Sequence, residues 1–164
     1  MAYLQFSDGR TATADELAAL AKQHRIAIEH RDVPSELAAL LDQPLLDQTA
    51  TARVLERFPP EPPYLSRDLI VLHPQRPDNA EIATKFDRWH RHQGDEVRYI
   101  LDGAGVFSVI VDEEPADLHV GPGDYVNVPA GLEHNFRLGD AHRIKAIRYF
   151  SDPSGWVAEF TGRP

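Results

Sequence analysis

The run WHRHQGDEVRYILDG, residues 89 to 103, sets two histidines two positions apart, then an acidic pair and a strand-like VRYIL. Side chains two apart on an extended chain leave the same face. His90 and His92 therefore aim two imidazoles at one point. Glu96 keeps that parity, with Gly94 interrupting the strand and freeing the chain to bring the carboxylate round. Neutral imidazole and carboxylate are what a divalent first-row metal accepts when thiolate is absent, and this chain has no cysteine. Parity puts Arg98 on that face as well. Downstream, GDYVNVPAGLEHNF offers His134 just after a Pro-Ala-Gly turn, where a loop can swing its ring toward an interior.

An isolated His-x-His is more often an accident of surface or core than a ligand pair, and Glu96 four residues on is what raises this one. His24, His30, His73, His119 and His142 have no partner at ligand spacing and are read as ordinary histidines. Asp95 reads as a solvent-facing acid or one held behind the ligands. In RIKAIRYF, Ile144, Ala146, Arg148 and Phe150 share a face. Arg148 is then either drawn inward to meet an anion, since a buried guanidinium is costly alone, or sits at a rim paired with a surface carboxylate.

The elements that must position these residues follow from pattern. In the first half, YLQF (3 to 6) and RIAIEH (25 to 30) read as strands. Thr13 to Glu16 form a capping-box pattern ahead of an amphipathic helix. PSELAALL (34 to 41) and TARVLERF (51 to 58) read as two more helices, the latter stopped by PPEPP, a loop or strap. From residue 68 the texture changes. DLIVLH, VRYIL, VFSVIV, DLHV, YVNVP, HNFRL and RIKAIRYF are short strands, with one helix at NAEIATKF (79 to 86) and turns such as DGAG, GPGD and GDAH between. Regular short strands with glycine-rich turns predict an antiparallel sandwich or barrel.

Composition narrows the function classes. The chain has 164 residues, room for one domain with a substantial core and too few for two comfortable ones. Its formal net charge of -9 argues against a nucleic-acid binder, which needs a basic stripe. No stretch approaches the apolar run of a membrane span or a signal peptide. A cytoplasmic protein with no membrane partner is expected, and a monomer, since no apolar stripe calls for a second copy.

Two segments together resemble the signature motifs of the cupin superfamily: HRHQGDE with Gly103 beyond it, and GDYVNVPAGLEH from Gly123 through Pro129 and Gly131 to His134. Thr84 stands where the first motif has a glycine, and Leu138 where the second closes on Asn. Within cupins, KF-x3-H-x-H-x3-EVRYILDGAGVF, PGDYVNVPAGLEHNF and AIRYFSDPSGWVAEFTG look like the acireductone dioxygenase family, closely over residues 82 to 162 and more loosely before. The resemblance implies a mainly β fold, a cupin double-stranded β-helix or jelly-roll barrel with N-terminal α-helices packed outside. It implies one domain over 1–164, with N-terminal helices and strands in 1–67 and a metal-binding barrel core in 68–162.

The same resemblance implies one Fe(II) or Ni(II) ion per chain, held by His90, His92, Glu96 and His134. Arg98 would hold the oxygens of the substrate and act in catalysis. Phe86 and Phe136 fall where the family has pocket phenylalanines, and Arg148 matches the arginine of its AIR motif. The family usually has Glu directly before the first histidine, where this chain has Trp89; strand parity turns Trp89 away from the metal. The implied activity is acireductone dioxygenase, acting on 1,2-dihydroxy-3-keto-5-methylthiopentene and O2 in methionine salvage. The rival readings are another metal-dependent cupin dioxygenase or small-molecule isomerase, or a cupin that binds a ligand without turnover.

Overall fold

A strand buried on both faces must lie between two layers, and Glu96 through Leu101 is such a segment, buried at every position. In the computed structural model, which describes residues 1–152 and 157–164, it is the centre of one of two antiparallel sheets. The strands are β1 (Tyr3–Phe6), β2 (Ala27–His30), β3 (Ser66–Leu72), β4 (His90–Arg91), β5 (Glu96–Gly103), β6 (Gly105–Val111), β7 (Glu114–Val120), β8 (Asp124–Val128), β9 (His134–Leu138), β10 (Ile144–Phe150) and β11 (Glu159–Phe160). One sheet has the order β1-β7-β6-β9-β4-β11 and the other β2-β8-β5-β10-β3. The helices are α1 (Ala14–His24), α2 (Ala38–Leu41), α3 (Gln48–Glu56) and α4 (Asn79–Phe86).

The jelly-roll architecture is thus present as two facing sheets, each keeping its own two edges, and their ladders do not join into one closed barrel. Residues 92–95 carry the chain from β4 in the first sheet to β5 in the second. Between the sheets lies a core that includes Leu72, Ile100, Phe107, Val109, Leu118, Val126, Phe136, Ile144 and Ala146. A second apolar cluster covers the outer face of β5 and its neighbours: Val97, Tyr99, Leu101, Tyr125, Ile147 and Tyr149 pack against Leu37, Leu41, Val54 and Phe58 of the helical segment. Period-two alternation along β5 therefore separates two interiors. Glu96, Arg98 and Ile100 face the space between the sheets, and Val97, Tyr99 and Leu101 face the helices. No helix among the described residues is long and apolar enough to cross a membrane.

Local chemistry explains the N-terminal elements. Thr13 caps α1 in a full capping box with Glu16. Asp47 accepts from the Ala50 amide at 2.7 Å, so α3 starts at Gln48, ahead of the run at 51–58 that its apolar pattern suggests. The segment at 34–41 is a 3-10 turn, Ser35–Leu37, followed by the single turn of α2, because Pro34 leaves the start without a side-chain cap. β1 and β2 are edge strands, paired on β7 and β8, so the N-terminal residues build sheet as well as the outer layer.

The proline-rich strap crosses from the helical layer toward the loop ahead of β5. Glu61 pairs with Arg31 at 3.0 Å, whose guanidinium lies over the Tyr125 ring. The Tyr64 hydroxyl donates to Asp95 Oδ2 at 2.8 Å and accepts from Asn127 Nδ2 at 2.8 Å. Burial, then the bond to Asp95, pushes the Tyr64 hydroxyl up to about 12 from its ordinary 10.0. The folded chain keeps that proton where the unfolded chain has lost it, so this contribution to stability is complete below pH 10 and is lost as pH rises toward about 12. Tyr64→Phe is expected to flatten the decline in denaturant midpoint across that window, and a slope equal to the parent's would show that the strap bond carries no linkage.

Candidate metal centre

Two strand pairs deliver the polar residues to one point. β4 and β9 meet at a single pair, His90 opposite His134, and β5 begins with Glu96 just past the corner that carries His92. The turn ahead of His134 is tied to the His92 corner by two hydrogen bonds: the Gly131 amide donates to His92 O at 2.9 Å and the Ala130 amide to Asp95 Oδ1 at 3.0 Å. Gly131 has φ +81°, a left-handed conformation that glycine adopts without penalty.

His90, His92, Glu96 and His134 are all buried, and each offers one ligand atom within 4.8 Å of the others. Both His92 Nε2 and His134 Nε2 lie 2.9 Å from Glu96 Oε2, while Arg98 Nε donates to Glu96 Oε1 at 2.7 Å. Burial works against ionisation of Glu96, but the Arg98 charge and the two imidazoles outweigh it and hold the carboxyl well below the usual range. Burial lowers His90 to about 4, so its ring is neutral near pH 7. Burial likewise lowers Arg98 from its ordinary 12.5, with Glu96 opposing the fall.

The donor chemistry fits a cation. A carbonyl oxygen only accepts, so His90 Nδ1, 2.5 Å from Arg88 O, and His134 Nδ1, 2.8 Å from Leu132 O, carry the ring protons. With Nδ1 so engaged, Nε2 is the ring nitrogen left to meet a proton or a cation. For His134 that nitrogen faces a carboxylate oxygen at 2.9 Å. Acceptor against acceptor repels unless a proton or a cation lies with them. Neighbouring ligand atoms on one ion, each at about 2.1 Å from it, stand roughly 3 Å apart, and Glu96 Oε2 has that separation from His92 Nε2 and from His134 Nε2.

Arg98 is 1% exposed and is enclosed by aromatic rings, its Cζ 4.9 Å from the Phe136 centroid, 5.2 Å from Phe86 and 6.0 Å from Phe107. A Cβ on Gly105 would collide with the Phe136 ring, so that glycine lets the ring lie close to the backbone of β6. Arg148 stands directly opposite Arg98 on β10 and makes a two-pronged bond to Asp68 on β3, at 2.7 and 2.5 Å. Of the two readings of Arg148, the pairing with a surface carboxylate is the one seen, since Arg148 and Asp68 are 25% and 41% exposed at their side chains. Trp89 is turned outward. Its ring lies with Phe160, Asn135 and Arg163 around a surface cavity of about 490 Å³.

The remaining histidines lie elsewhere, His30 against Asp124 at 3.2 Å and His119 stacked on Tyr3. Asp95 is held behind the ligands by Tyr64 and Ala130. Part of the GWVAEFTG segment, Gly155 and Trp156, lies outside the described residues; Glu159 and Phe160 form β11. Phe107, Asp68 and the Glu133–Arg163 pair escape sequence reading, because each acquires its role from partners far away in the chain.

Two facing sheets with a buried three-histidine, one-glutamate group on their inner strands define a cupin-type metal-site protein. A profile described as the ARD/ARD' family matches residues 7–158, and the chain belongs to that family. An acireductone dioxygenase of Rhodopseudomonas palustris (strain TIE-1) is 67% identical over 163 residues, covering 99% of both chains. One from Microcystis aeruginosa (strain NIES-843) is 40% identical, covering 98% of this chain and 93% of its own. Among solved structures, an acireductone dioxygenase from Bacillus anthracis with a cadmium ion in its active centre superposes with a TM-score of 0.84 at 24% identity, over 98% of each chain. That last likeness bears on the fold.

A ligand that binds only the folded protein raises its stability, by about 2.7 kcal/mol at a hundred times its Kd. Stripping divalent metal with a chelator is therefore expected to lower Tm, and returning Ni(II) or Co(II) to restore it. Glu96→Ala should melt at one temperature with or without metal. A parent protein indifferent to both treatments would remove the metal reading.

Proposed function

We propose that this chain is a metal-dependent dioxygenase acting on an acireductone, 1,2-dihydroxy-3-keto-5-methylthiopentene. With Fe(II) the products would be 2-keto-4-methylthiobutyrate and formate, on the route of methionine salvage. With Ni(II) they would be methylthiopropionate, formate and carbon monoxide. The observation that carries the reading is the four-residue donor group with a buried arginine bonded to its carboxylate; membership of the family and the named relatives support it.

His90, His92, Glu96 and His134 would hold the ion. When bound, a divalent metal supplies Lewis acidity and a template on which a cis-enediol is held and ionised. The chain's own residues do the rest. Arg98 is fixed in plane by its bond to Glu96 and donates to the anionic oxygen of the substrate, where charge develops. Loss of Glu96 would leave the guanidinium unplaced, whereas loss of Arg98 leaves the carboxylate among its imidazole neighbours. Phe86, Phe107 and Phe136 exclude water around the guanidinium and pack the thioether end of the substrate. Arg148, neutralised by Asp68, would flank Arg98 as one half of an ion pair rather than make a substrate contact of its own.

The test is aerobic loss of the acireductone chromophore by metal-free protein, then with Fe(II) and with Ni(II) restored, with product analysis for ketoacid and CO. Metal-dependent loss is expected. Stoichiometric metal uptake without substrate loss would move the assignment to another cupin enzyme or to a ligand-binding cupin. His92→Ala should lose metal and turnover together, and turnover retained without metal would overturn the ligand assignment. Arg98→Ala should keep its metal and lose about 10²- to 10³-fold in rate; parental kinetics would make Arg98 purely structural.

A further inference from the structure

We propose that Glu133 is a positioning residue for His90, acting through a clasp that holds the segment Glu159–Arg163 against β4. The inference rests on reading the buried cluster as a metal centre.

β4 is two residues long and meets β9 at one pair only. Its other edge is covered by β11, with Glu159 opposite Arg91 and Phe160 opposite His90. β11 is also two residues long, and two such fragments do not hold each other. The Glu133 carboxylate does that work. It accepts from Arg163 in a fork, Nε to Oε2 at 3.0 Å and Nη2 to Oε1 at 2.8 Å, and from the Thr161 hydroxyl. Glu133 is buried at 7% exposure, so its charge has to be met, and Arg163 meets it in the geometry that a guanidinium and a carboxylate favour.

The clasp reaches His90 by three routes. The Thr161 amide donates to Trp89 O at 3.1 Å, fixing the backbone just ahead of the histidine. The Phe160 ring stands edge-on to the His90 ring, centroids 6.2 Å apart. That same ring carries the Arg88 guanidinium 3.9 Å over its face, while Arg88 O accepts a hydrogen bond from His90 Nδ1. Trp89, where the family pattern has Glu, is part of the clasp, its ring 5.6 Å from the Arg163 Cζ. Glu133 directly precedes His134, so a single turn delivers one imidazole and braces the strand that bears another.

Co(II) uptake by the metal-free full chain, followed by its visible ligand-field absorption, tests this. Glu133→Gln and Arg163→Ala should each bind Co(II) about tenfold or more weakly, with a shifted absorption envelope. The double variant should lose less than the sum of the two single losses, since both substitutions remove the Glu133–Arg163 fork. Arg163→Lys should recover part of the affinity. Arg10→Ala, which breaks an exposed ion pair with Glu16, should match the parent. Arg163 is 39% exposed at its side chain, so its truncation leaves the core intact, and melting of the metal-free proteins checks that. Variants with parental affinity and absorption would overturn the clasp, whereas a parent that takes up no Co(II) would overturn the metal reading beneath it.

Discussion

A carboxylate sealed among imidazoles and a guanidinium is the constraint on which the rest of this molecule turns. Glu96 is 2% exposed and Arg98 1%. Alone, either charge would cost several kcal/mol to bury. Together they hold each other ionised, and the bond between Nε and Oε1 fixes their relative plane. Two imidazoles crowd the carboxylate, His92 Nε2 and His134 Nε2 each 2.9 Å from Oε2. Nitrogen and anionic oxygen at that distance need a proton or a cation between them.

The two sheets exist, from the point of view of this centre, to bring donors from distant positions to one place. β5 is central in its sheet, with β8 and β10 as neighbours, and buried on both faces, so Glu96 and Arg98 sit on a strand held from both sides. β4 and β9 belong to the facing sheet and contribute His90 and His134 as a cross-strand pair. The backbone bonds from Gly131 to His92 and from Ala130 to Asp95 then couple the two turns directly. The contrast in rigidity is physical. β5 is anchored by a ladder on each side and by two cores, whereas β4 has two residues and depends on its neighbours for its place.

The parts of this arrangement that are legible in the sequence are those governed by local rules. Period two along EVRYIL puts Glu96 and Arg98 on one side; His-x-His does the same for the imidazoles; Thr13 and Glu16 announce a helix start. Strand existence from residue 68 onward follows from the turn glycines. What is not legible is whatever depends on long-range register. Nothing in RIKAIRYF says that Arg148 will face Asp68, eighty residues earlier, because that pairing comes from β10 lying beside β3. Glu133 reads as one more surface acid in an acidic chain until the segment around Thr161 folds back over it. Sheet closure is equally hidden, since open edges and a closed barrel have the same strand pattern.

Charge matching explains why such a centre suits an enediol in particular. Glu96 cancels Arg98, and Asp68 cancels Arg148, so the protein alone presents a nearly neutral interior. A divalent ion would bring its full double charge into that interior, where poor solvation makes uncompensated charge expensive. A substrate that ionises on binding, and offers two adjacent oxygens, restores neutrality; a neutral ketone of the same shape does not. On the proposed function, selection thus works through ionisation as well as through shape. The phenylalanines around Arg98 sharpen it by keeping out the water that would otherwise screen the charge.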